Sequence, residues 1–232
     1  MIKLIYTTIL YMLGLIVNGQ SSLGLHLEVG NSILYGISND TIVPYGYSGA
    51  QADAKSKFYC SPSLRFRKST NSKISLETGI GYLAVENQIR LKYNYTFFQT
   101  FVDTTLNINL AYLTIPVAIN YTTALTENSS LLLAFTLNSN FLITKEDNFA
   151  EIIYEEIGWI KPDWYAPIVF AIGASMAYQF ELNNLDFIEI GLYVNSDVSP
   201  FVKKDQLWGF YNNLVPSRNL RYGLQLKYFL SL

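Results

Sequence analysis

The sequence predicts an all-β fold: an eight-stranded antiparallel up-and-down barrel that crosses a membrane on its strands, with short turns at one end and long loops at the other. Three observations predict it. Apolar residues recur at every second position in eight separate stretches, each about ten residues long, as membrane-crossing strands require. The connections between those stretches alternate strictly between long and short. Beyond the amino-terminal segment, no run approaches the ~18 uninterrupted apolar residues of a spanning helix.

Composition agrees. Half of the 232 residues are hydrophobic and only 15% are charged, well below the usual quarter of a soluble domain. Eighteen Tyr and fourteen Phe against one His lean toward strand formers. A net charge of −2 leaves no basic face for nucleic acid. Cys60 is the single cysteine, which excludes an internal disulfide and a cysteine-cluster metal site.

The first element is MIKLIYTTILYMLGLIVNGQ. Lys3 precedes an apolar run from Leu4 to Val17, and Val17-Asn18-Gly19 offers short residues for cleavage. This has the form of a secretory signal. Residues 1–19 are expected to be removed, leaving 20–232 as an exported barrel.

The strands follow in order. Leu23, Leu25, Leu27 and Val29 share one face of the first, and Phe58, Cys60, Pro62, Leu64 and Phe66 one face of the second. Ile74 to Tyr82 and Leu113 to Tyr121 continue the pattern, as do Leu131 to Leu137, Ile168 to Phe180 and Ile188 to Val194. The last strand places Tyr222, Leu224, Leu226, Tyr228, Leu230 and Leu232 on one face. Connections at 68–73, 122–130 and 181–184 are short; those around 37–56, 86–108, 144–165 and 196–218 are long. An eight-stranded barrel with both termini in the periplasm requires that order. The apolar face is then the lipid face, edged by Phe58, Tyr82 and Tyr222 toward the outer rim and by Phe66, Tyr121, Tyr178 and Tyr228 toward the periplasmic rim. The alternate small and polar residues fill a narrow lumen.

One region changes parity. Ile89 to Phe97 run on odd positions where the preceding strand uses even ones, and Leu106, Ile108 and Leu110 are even before an odd strand. A bulge at each rim with a projecting hairpin would reconcile both; an extra strand pair, giving ten strands, is the alternative.

The order of features resembles the small outer-membrane β-barrel family of Bacteroidetes-type bacteria, the PorT-like barrel domain. The segments that carry it are the signal ending before Gln20, the glycine-spaced SLETGIGYL (75–83) and the Leu-x-Ile-Pro strand in YLTIPVAINY (112–121). The resemblance spans nearly the whole mature chain. It implies an outer-membrane location and a link to protein secretion. The terminal strand also resembles the signal read by barrel-assembly machinery, with Leu232 in place of the usual final aromatic.

The strand register places Glu28, Arg65, Arg67, Glu77, Glu189, Arg221 and Lys227 in the lumen. Buried charges need partners, so these are expected to form a structural network. A turn centred near Asn71 would set Arg65 opposite Glu77, and closure would bring Glu28 near Gln225 and Lys227. His26 also faces the lumen, where Ser61, Ser63 and Ser75 share the register, but no motif marks a nucleophile. The adjacent acids Glu155 and Glu156 read as solvated loop residues. The sequence has no phosphate loop, metal-ligand spacing or catalytic motif, so no enzyme, cofactor or metal is expected. Trp159, Trp164, Phe201, Trp208, Phe210 and Tyr211 concentrate on two long loops. They read either as a partner surface or as a cap over the mouth. Expected partners are outer-membrane lipid, the assembly machinery, and other envelope or secretion proteins. The function expected is a non-enzymatic interaction or assembly component; the alternatives are a narrow pore and, more weakly, a lipid-modifying enzyme.

Overall fold

A computed structural model describes residues 20–35, 47–95, 100–148, 165–182, 186–201 and 218–232. The strands are β1 (Ser21–Tyr35), β2 (Tyr47–Lys55), β3 (Lys57–Ser69), β4 (Ile74–Tyr95), β5 (Thr100–Thr126), β6 (Ser129–Asp147), β7 (Ile168–Glu181), β8 (Phe187–Asp197) and β9 (Arg218–Ser231). Each pairs antiparallel with its neighbours, and β9 returns to pair with β1 from Ser22↔Ser231 to Tyr35↔Arg218. The sheet is therefore closed, and among the described strands only β2 keeps an unpaired side. β2 and β3 form one stave: β3 pairs with the first half of β4 and β2 with its far half. The barrel has eight staves.

The turns close where polar residues cap the ladders. Between β3 and β4, Asn71 Oδ1 accepts from the amides of Lys73 (2.9 Å) and Ile74 (2.7 Å), and Thr70 Oγ1 donates to the Ile74 carbonyl. That side-chain ring stands in for a backbone turn. The turn pairs Arg67 with Glu77 and Arg65 with Gly79. This corrects the register expected from a turn centred on Asn71: it is centred one residue later, which moves each pairing by two.

The Pro116 strand has a local gap. Proline donates no ladder bond, and the β4–β5 pairing skips Ile115 and Pro116; the Thr78 hydroxyl instead donates to the Pro116 carbonyl at 2.9 Å.

The parity change has a different cause from the bulges expected. β4 and β5 pair in one constant register from Ile74↔Tyr121 to Tyr95↔Thr100, and no tenth stave is inserted. Odd residues of β4 point inward as far as Ile89, first Ser75 and Glu77, then Leu83, Val85 and Ile89. On β5 the inward set runs from Ile108 and Leu110 to Ala118 and Asn120. The strand does not turn over; the chemistry of its two faces does. A register shift does occur on β6, where Ile143 is extra between Leu142 and Thr144 opposite β5.

Below that inversion the barrel is apolar outside and polar inside. Leu25, Ile80, Val117, Phe135, Met176, Ile190 and Leu224 are each half exposed or more. His26, Arg65, Glu77, Glu189 and Lys227 are buried.

Candidate functional site

The lumen is the candidate site, and its charges are layered. Nearest the turns, Arg67 reaches across from β3: Nη1 donates to Glu189 Oε1 at 2.5 Å, and Nη2 to Glu77 Oε2 at 2.6 Å. Lys227 Nζ donates to Glu77 Oε1 at 2.9 Å and lies 3.8 Å from Glu189. Arg65 adds a longer contact to Glu77 at 3.6 Å, and Asn120 Nδ2 donates to the same carboxylate. Five strands are thereby tied through Glu77 and Glu189. Both carboxylates are fully enclosed, and side chains from opposite walls meet, so the lumen has no open bore at this level.

This layer has an aromatic floor. Phe187 and Phe229 stack at 4.9 Å between centroids, and the Arg67 guanidinium lies 4.3 Å from the Phe229 ring. The stack needs a glycine beside it, since a Cβ on Gly24 would sit 2.6 Å from the Phe229 ring. Gly173 likewise makes way for Asn195.

Above it, His26 and Glu28 approach at 3.7 Å, and Asn195 Nδ2 donates to Glu28 at 3.4 Å. Arg221 does not join the lower cluster; it donates to Asp197 at 2.7 Å, a carboxylate that also accepts from the Asn219 backbone and side chain. The hydroxyls of Tyr59 and Tyr193 bond across the lumen. Beyond them Leu34, Val85, Leu110 and Tyr112 close the interior with apolar side chains.

The alternation puts Phe187, Tyr193 and Asn195 on the lumen face without naming their partners, and it anticipates neither Asp197 nor the Phe187–Phe229 stack. Arg221 was the one available signal for Asp197, because a buried guanidinium requires an acid nearby. The register also puts Ser63 and His26 on the lumen face, but the sequence does not single out Ser63 or align the two with Glu28. Ser63 Oγ is 3.3 Å from His26 Nδ1, and β1–β3 pairing sets these two residues opposite each other. The order is that of a nucleophile, base and acid. Ser63 is buried and its hydroxyl oxygen accepts from Arg65 Nε at 2.9 Å, and the cavity against His26 and Glu28 is only about 10 Å³, space for at most one water.

On the outside, Tyr222, Leu224, Leu226, Tyr228, Leu230 and Leu232 all face out from β9. Of the loop aromatics, Trp159, Trp164, Trp208, Phe210 and Tyr211 lie outside the described residues, as do Glu155, Glu156 and residues 1–19. Phe201 is not a surface residue: it is fully buried, and its carbonyl accepts from the Ala166 amide at 2.7 Å. Its apolar ring is removed from water rather than presented to a partner.

No protein-family model and no curated protein matches the sequence. Among solved structures, the chain is similar to the outer membrane protein OprG from Pseudomonas aeruginosa, at 10% identity and a TM-score of 0.45, over 90% of this chain and 97% of that one. It is also similar to Ail, the attachment invasion locus protein of Yersinia pestis, at 12% identity and a TM-score of 0.37, over 92% and 100%.

Proposed function

We propose that this chain is an integral outer-membrane barrel that neither conducts nor catalyses, and that acts through its two ends. The observation that carries this reading is the inversion of the barrel: an apolar belt outside and a cross-linked polar interior. A soluble protein would leave that belt as an aggregating surface; in hydrocarbon it is the stable arrangement. Arg67, Glu77, Glu189 and Lys227 serve as a structural plug. The outward residues of β9 serve as the segment that assembly machinery reads. In its sharpest form, supported by the resemblance of SLETGIGYL and YLTIPVAINY, the function is PorT-like, with envelope or secretion proteins as partners.

Purified protein in planar bilayers is expected to show no stable conductance, and reproducible ion steps would reverse the reading in favour of a pore. A fluorophosphonate probe is expected to leave Ser63 unlabelled; labelling would restore an enzyme. For the partner role, replacing residues 149–164 and 202–217 with Gly/Ser should remove a co-purifying envelope protein, and unchanged co-purification would count against action through the loops.

A further inference from the structure

The turn end of the barrel holds a cup of about 150 Å³, lined by residues of the β3–β4 turn and the neighbouring strand ends. A cavity of about that size admits a six-membered ring. The cup is blind, because Arg67 and the stacked rings of Phe187 and Phe229 close it from the lumen. Its wall is rich in hydroxyls and amides: Ser22, Ser69, Thr122 and Gln179 form no side-chain hydrogen bond among the described residues. Phe187 adds one aromatic surface.

Charge and solvation favour a neutral polar ligand. The one cation in the floor, Arg67, is already bonded to Glu77 and Glu189, and the lip carries one charge of each sign, Lys73 and Glu181. The side chains lining the cup therefore offer an anion no net positive charge, and an apolar ring would strip water from hydroxyls without replacing their bonds. A neutral ring bearing many hydroxyls satisfies the wall on all sides and can lie against the phenyl group.

We propose that this cup binds a neutral pyranose residue. The chemistry is independent of the bilayer. Only the source of the sugar, cell-wall glycan or free periplasmic sugar, rests on the orientation proposed above.

The test uses the purified barrel in a zwitterionic detergent without sugar headgroups, titrated with methyl glucopyranoside, methyl N-acetylglucosaminide and soluble peptidoglycan glycan fragments. Saturable amide shifts are expected at Ser69, Ser75 and Thr122. Thr122→Val together with Gln179→Leu should weaken binding about tenfold, with the rest of the spectrum and heat-modifiable migration unchanged. Tighter binding of the glycan fragments than of the monosaccharides would assign the wall as source, and equal binding would assign free sugar. Two results overturn the proposal: no saturable shift with any sugar, or larger shifts at the same residues from inorganic phosphate, which would make the cup an anion site.

Discussion

The turn-end and loop-end halves of the interior are threaded by β4 and β5 in one constant register, yet they carry opposite chemistry. On β4 the inward residues change from Ser75 and Glu77 to Val85 and Ile89, while the outward ones change from Leu76 and Ile80 to Glu86 and Arg90. Strand geometry fixes only which residues share a face; it is indifferent to which face is apolar. That is set by the medium outside. In the belt the outside is hydrocarbon, so polar groups collect inside and must satisfy one another. Above the belt the outside is water, and the ordinary hydrophobic core returns.

The comparison breaks hardest at Glu77. Glu77→Ala would leave Lys227 only its 3.8 Å contact with Glu189 and remove one of the two carboxylates bonded to Arg67 within a closed lumen. The expected loss is about 3–5 kcal/mol, read by urea unfolding in lipid vesicles. Glu77→Met with Lys227→Met should recover part of it, because deleting both partners leaves no unpaired charge between them. If Glu77→Ala unfolds like the parent, the plug is not what holds the lower half together.

A second test moves along one strand. Val117 and Asn109 both point outward from β5. Val117→Lys places an ammonium in the middle of the apolar belt and should cost about 2–4 kcal/mol. Asn109→Lys, in the upper half, should stay within about 0.5 kcal/mol. Equal costs would mean the two outsides are the same medium, and the membrane reading would fail with them.

These two halves also explain what the sequence made legible. The staves, the lumen charges and the outward faces follow from a period of two and from the rule that buried charge requires a partner. Arg67, Glu77, Glu189 and Lys227 could be found that way. The β3–β4 register could not, because the hydrogen bonds accepted by Asn71 Oδ1 and donated by Thr70 Oγ1 decide which residue centres the turn. Parity at Ile89 and Ile108 was misleading for a physical reason: periodicity reports a change of apolar face without saying whether the strand rotated or the solvent changed. Asp197 was read as loop because it lies beyond the last apolar residue of its strand, Val194, where alternation no longer marks inside from outside.

Packing in the lower half gives a smaller effect. Gly24→Ala would drive a Cβ to 2.6 Å from the Phe229 ring and 2.4 Å from the Tyr228 carbonyl oxygen. Overpacking of this kind costs about 1–3 kcal/mol, and Phe229→Leu in the same chain should relieve the part due to the ring. No loss would mean that the aromatic floor yields, and that the cup above the turns has a deformable base.

The smallest effect belongs to the upper half, where charges stand in water. Arg90 donates to Asp103 through Nε at 2.8 Å and Nη2 at 2.6 Å, a two-bond pair on the outer face of the projecting hairpin. Hydrogen bonding to Arg90 holds the Asp103 carboxyl below its ordinary value. A depressed carboxylate stabilises the folded hairpin above its unfolded pKa, and that contribution fades as pH falls through the lowered folded value. Hydrogen exchange of the hairpin amides should therefore quicken, relative to the belt, only below the usual carboxylate range. Asp103→Asn should remove the pH dependence and leave insertion unchanged. Salt should weaken the Arg90–Asp103 pair while leaving the Arg67–Glu77 pair nearly unaffected, since screening reaches exposed charges and not enclosed ones. Equal salt sensitivity in both pairs would mean that water reaches the lumen as freely as it reaches the hairpin.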